Sequence, residues 1–250
     1  MDDRRLRYVT ELVRTTWIRE RLHPFAQDVG SLVPEGFADY ARIFHPAHRG
    51  DEPVTWRAIA ETNGRTVHRE MQFGNIAGSW RESPRPDLWT SAPPSGTLPP
   101  ELARVLAAVL RAHTATPERI WFAAWEGWGG FDPATPRFEH PNRRYYLAAG
   151  TIDDAAATVY PDAWAAQSAS MWWPDDCAWF VATEVDLDST YLGASRACID
   201  ALLARRQIEA VRAELSDSIT IAADTVNPSP LSARSHPSFG DRVFGRLRLR

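Results

Sequence analysis

The apolar residues of this chain change their period near residue 115, and that change limits what it can fold into. Before it, ELARVLAAVLRAH sets Leu102, Val105, Leu106, Val109 and Leu110 at helical spacing among strong helix formers, which predicts an amphipathic helix. After it, RIWFAAWEGWGG (119–130), RRYYLAAGTI (143–152) and CAWFVATEVDL (177–187) are short aromatic and β-branched runs, which predicts strands. DDAAATVY reads as the start of a helix, and another is expected from about Ser195 to Arg205. Together these elements predict an α+β fold, a central mixed or antiparallel sheet packed by helices.

The front of the chain reads as a helical N-terminal part. Leu6, Val9, Leu12, Val13, Trp17 and Ile18 fit a first helix that stops before His23-Pro24. Pro34-Glu35 can start a second, with Phe37, Tyr40, Ala41 and Phe44 on one face. Thr55 fits as the N-cap of a short third helix carrying Trp56, Ile59 and Ala60, closed by Asn63-Gly64. The prolines between residues 79 and 100 predict a surface loop or hinge, because each fixes φ and removes a donor. One domain is expected over residues 1–226. A Pro/Ser/Arg-rich tail follows over 227–250, disordered or a weak anion-binding arm through Arg242, Arg246, Arg248 and Arg250.

Composition narrows the function classes. The 11 Trp, 10 Phe and 6 Tyr can anchor a large core, which excludes a wholly disordered chain. A net charge of -4 sets up no strong field for nucleic acid or an anionic membrane, so neither is an expected partner. No lysine occurs, which rules out Schiff-base chemistry and a phosphate-loop lysine. Cys177 and Cys198 form no CxxC pair and read as free buried cysteines. His45-Pro-Ala-His48 has no acid or cysteine beside it to complete a metal site. The charged start MDDRRLRYVTEL has no apolar signal core, and no run is long enough to span a bilayer, so a cytoplasmic location is expected.

One stretch is chemically conspicuous. In FVATEVDLDSTYLGAS (180–195) an apolar strand ends in Glu184, Asp186 and Asp188, which share a face at a period of two. Ser189 and Thr190 follow, and Gly193 to Ser195 can turn and cap the next helix, whose N-terminal N–H groups favour anions. Asp186 and Asp188 could then hold a divalent cation such as Mg2+, since hard cations take carboxylate oxygens. The other reading of the row is a solvated strand end with Asp188 or Ser189 fixing a turn. Just upstream, MWWPDD brings Trp172 and Trp173, which an extended chain splits to opposite sides, between core and surface. With Trp125 and Trp128, such residues and the acidic row would form an aromatic, acidic cleft for a cationic or sugar-like ligand or a basic peptide.

Two resemblances attach to these residues. DLDST after an apolar strand resembles the first motif of haloacid-dehalogenase-type phosphatases, which implies Asp186 as nucleophile and Asp188 as acid/base; the chain departs from that pattern in having no lysine and only isolated acids, Asp217 and Asp224, afterwards. Over a longer span, SLVPEGFADYARIFHPA, RIWFAAWEGWG, RRYYLAAG and MWWPDDCAWFVATEVDLDSTYLG resemble a family of actinobacterial proteins of uncharacterised activity. That resemblance implies a single cytoplasmic domain and transfers no functional residue. The leading expectation is a non-enzymatic binding or protein-interaction module with no cofactor, taking a small molecule or a protein through Trp125, Trp128, Trp172, Trp173, Glu184, Asp186, Asp188, Ser189 and Thr190. The alternatives are a divalent-metal-dependent phosphoester hydrolase using Asp186 and Asp188, and an immunity or antitoxin-like partner protein.

Overall fold

A computed structural model describes residues 6–25, 27–140, 142–160 and 167–230. In chain order the elements are β1 (Arg7–Tyr8), α1 (Thr16–Arg19), β2 (Asp39–Phe44), β3 (Ala47–Arg49), β4 (Glu52–Val54), α2 (Trp56–Thr62), α3 (Phe73–Ala77) and α4 (Pro100–Leu110). Then come β5 (Ile120–Trp125), β6 (Arg137–His140), β7 (Arg143–Gly150), β8 (Met171–Pro174), β9 (Phe180–Thr183), β10 (Ser189–Ala194), α5 (Arg196–Leu203) and β11 (Ala210–Ala213). The fold is α+β. Nine strands form one sheet in the order β1-β7-β5-β8-β9-β10-β2-β11, with β6 also on β7, while β3 and β4 make a separate hairpin. Every pairing is antiparallel.

The sheet is covered on both faces. On one, α4 and α5 bury Leu102, Leu106, Leu110, Ile199 and Leu202 against Phe122, Trp172, Val181 and Leu192. On the other, the N-terminal segment lays Ile18, Val29, Leu32 and Val33 over Ala123, Leu147, Trp173, Phe180 and Tyr191. A third core, built by α2, α3 and Trp89, closes on Phe44 at the end of β2.

Local signals hold where capping chemistry is strong. Thr55 accepts the Ala58 N–H at 3.2 Å, and Asn63 closes α2 as expected. Ser195 caps α5 through the Cys198 N–H, and α4 forms as predicted with Pro100 in its first turn, its last predicted residues, Arg111–His113, tightening to a 3-10 turn. DDAAATVY yields a 3-10 turn, Ile152–Ala156, in place of an α-helix.

Three expectations are corrected. The first predicted helix shrinks to α1 and the 3-10 turn before it. The second is strand β2: it is buried on both faces, so its hydropathy does not alternate, and Tyr40, Ala41 and Phe44 imitate a helical face by spacing alone. The third strand stops at Thr183, and Gly193, read as opening a turn, lies inside strand β10 (Ser189–Ala194). The Pro-rich segment is irregular, as its prolines require, yet it is tied down. Trp89 and Leu98 are buried, and the Gly96 N–H donates to the Leu187 carbonyl at 2.9 Å. Residues 231–250, including the arginines of the tail, lie outside the described residues.

Gly193 sits inside β10 because the N-terminal cover presses on it: a Cβ there would lie 2.5 Å from Phe37 Cδ2 and 2.8 Å from Val33 Cγ1. Gly193→Ala should therefore lower the unfolding free energy by about 1–3 kcal/mol through overpacking, read from the urea midpoint. An unchanged midpoint would mean that the cover is loose.

Candidate functional site

The site lies at the end of the sheet where β5 finishes, β7 begins and the β9–β10 loop turns. Trp125 ends β5 opposite Tyr145 of β7, and Arg143 starts β7 two residues earlier, on the same face as Tyr145. After Trp125 the chain makes a 3-10 turn, Glu126–Trp128. Gly127 permits it, because the Trp125 indole lies where a Cβ of residue 127 would stand. Trp125 and Trp128 meet edge to face, with ring centroids 5.3 Å apart.

The Arg143 guanidinium stacks over Trp125 at 4.9 Å and donates from one terminal nitrogen to Glu184 Oε1 at 2.5 Å and Asp186 Oδ2 at 2.8 Å. The Phe25 ring centroid stands 5.8 Å from the same guanidinium. Glu184 is largely buried, whereas the Asp186 side chain is 80% exposed. Burial raises the Glu184 carboxyl above its ordinary range, and the Arg143 charge works against that shift. The Tyr145 hydroxyl is raised as well, by burial first and then by Glu184. Beside this cluster Glu126 accepts from Arg137 at 3.0 Å and from Arg144 at 2.6 Å.

The structure brings together Trp125, Trp128, Glu184 and Asp186, and separates the rest. Glu184 and Asp186 lie in a loop, not along a strand face, and Asp188 turns inward. Burial raises its carboxyl too, while the Arg42 charge and the Ser189 hydroxyl lower it. Trp172 and Trp173 do split, but between two cores, at 2% and 1% exposure, so neither lines a cleft. The α5 N-terminus is at the far end of β10, remote from the carboxylates, so the expected anion-favouring end is not beside them. Among the described residues no group of three His, Cys, Asp or Glu side chains could hold a metal ion.

Ser189 and Thr190 serve the interior. Ser189 Oγ accepts from Arg42 Nε at 3.0 Å. Thr190 joins a chain whose direction follows from its ends: the Pro94 carbonyl can only accept, so His45 Nδ1 donates to it at 2.8 Å. In the neutral ring Nε2 must then accept from Thr190 Oγ1 at 2.9 Å, which leaves the Thr190 oxygen to accept from Thr183 at 2.8 Å. Sequence reasoning missed Arg143, Glu126 and Arg42. A signal existed, since a carboxylate row ending an apolar strand needs cations nearby, but only tertiary structure says which of 28 arginines supplies them.

No family model, curated protein or solved structure matches this chain.

The His45 ring is held to a pKa of about 4, chiefly by burial and further by Arg42, against the pull of the Pro94 carbonyl. Its folded pKa lies below the unfolded one, so the unfolded state binds the proton first as pH falls. Stability should drop between about pH 6.5 and 4, by about 3 kcal/mol for this group. Asn at position 45 retains a donor to Pro94 without titrating. Urea unfolding across that range should show a steeper fall for the wild-type protein than for His45→Asn; parallel profiles would refute the neutral, buried ring.

Proposed function

We propose that this protein is a protein-interaction module that binds its partner through the end of the sheet bearing Trp125, Trp128, Arg143 and Asp186. What carries this reading is two partly exposed tryptophans on a backbone braced from both sides. Glu126 is locked to Arg137 and Arg144, and Arg143 is locked to Glu184 and Asp186. Trp side chains held in place before binding are among the groups that dominate interface energetics. An immunity or antitoxin-like role is the finer form of the same proposal.

Several features favour binding over catalysis. Burial raises the thiol of Cys177 and pushes that of Cys198 up to about 12, so neither is a ready nucleophile. His45 is sealed in the interior, His23 is clamped by Asp28 and Glu35, and His68 is held by Asp224. Asp186 and Asp188 diverge toward different arginines, which gives the metal-dependent hydrolase no shared coordination point. The cavity between Thr97, Leu98, Thr158, Gln167 and Ser168 has about 10 Å3 of space, room for about one water and far below the roughly 300–1,000 Å3 of small-molecule sites.

Capture from extracts of the native cell, with immobilised wild type beside Trp128→Ala of equal Tm, tests the assignment. The wild type should retain a protein in near-stoichiometric amount, and Trp128→Ala should retain about tenfold less of it. Equal retention would remove this end of the sheet as the contact surface.

A further inference from the structure

We propose that Trp125, Glu184 and Asp186 form a guanidinium-binding box, filled by Arg143 in the free protein and by an arginine of the protein partner in the complex. This rests on the interaction role above and names the chemistry that the partner presents.

The box has the three elements that guanidinium recognition needs: an indole face to stack on, a desolvated carboxylate and a second carboxylate at the rim. Arg143 uses them incompletely. Both of its carboxylate bonds leave from one terminal nitrogen, and its Nε is buried without a hydrogen-bond partner. A buried donor left unmet is costly, so the internal occupant is held less well than the box allows. An arginine entering from solvent can approach Glu184 with two nitrogens, the paired geometry that Arg143, reaching in from its own strand, does not achieve.

The way in is past Asp186, whose side chain is 80% exposed. Arg143, 15% exposed, leaves by the same side. It is the first residue of β7, just after Asn142 at φ 62°, and the strand is held by backbone pairing, so its side chain can leave without disturbing the register. Arg137 and Arg144, the cations nearest in sequence, are engaged by Glu126 and do not compete. Lysine fits poorly, because a compact ammonium does not stack flat on the indole and meets the carboxylates as a point charge.

Removing Arg143 should therefore improve binding of an external guanidinium, the opposite of what loss of a contact residue does. Arg143→Ala and Arg143→Met, both checked for native Tm, would be titrated with methylguanidinium and with methylammonium while the indole N–H resonance of Trp125 is followed by NMR. The expected result is saturable methylguanidinium binding about tenfold tighter than in the wild type, with methylammonium about tenfold weaker. Glu184→Gln added to either variant should abolish it. With the wild-type protein, acetyl-Gly-Arg-Gly-amide should move both the Trp125 indole and the Arg143 Nε–H signals, and the lysine peptide should move neither. If Arg143→Ala fails to fold, Arg143→Met, which keeps the apolar stem, serves in its place. No saturable binding, equal binding of methylammonium, or indifference to Glu184→Gln would overturn the proposal. Such a failure with Trp128-dependent capture intact would refute arginine exchange and leave the interaction role standing. Loss of capture with guanidinium binding intact would refute the interaction role instead.

Discussion

Arg42 is only 4% exposed, and the geometry around its guanidinium fixes much of the rest of the molecule. It leaves β2, which lies between β10 and the edge strand β11, and donates to Ser189 Oγ of β10 and to the carbonyls of Arg69 and Met71, at 2.9 to 3.0 Å. Its faces are covered by Phe44 at 4.8 Å and Trp56 at 5.4 Å. Taking such a cation out of water costs several kcal/mol unless its donors are met. Meeting them requires the β2–β10 register, the segment before α3 and the aromatic third core to be in place at once. One side chain thereby couples the sheet to the α2–α3 layer.

The same constraint reaches the candidate site. Asp188 feels the Arg42 charge, and its carbonyl accepts the His45 N–H at 3.1 Å. One residue earlier, the Leu187 carbonyl is held by Gly96. With the return side of the β9–β10 loop fastened to β2 and to the Pro-rich segment, Glu184 and Asp186 remain on the outer side, toward β7. Arg143 and Trp125 arrive there because β5 and β7 pair in register. Trp125 and Arg143 are thus placed by backbone pairing and Glu184 by a loop fastened on its return side, which holds the site in shape before a partner arrives.

Much of the element inventory was legible in the residues, and the reasons are local. Thr55 and Ser195 announced helix starts because an N-cap oxygen satisfies an N–H within three residues. ELARVLAAVL announced α4 by propensity and spacing together. β5 and β7 were visible as aromatic and β-branched runs. β2 was not, because burial on both faces erases the period that distinguishes a strand from a helix. Within the candidate site, Trp125, Trp128, Glu184 and Asp186 were singled out from the sequence, whereas Trp172, Trp173, Ser189 and Thr190 belong to the interior and the half-buried Asp188 faces Arg42.

From the residues alone follow helices and strands around an aromatic core, and a row of three acids, Glu184, Asp186 and Asp188, after an apolar strand. Tertiary structure alone decided that the sheet is antiparallel, that β10 stands between the acids and the next helix, and that Arg143 answers Glu184. Capping and periodicity act over one to four residues and are written in the neighbours. The pairing of Arg143 with a carboxylate 41 positions away depends on which strands lie side by side, and that is set by the global packing of the sheet.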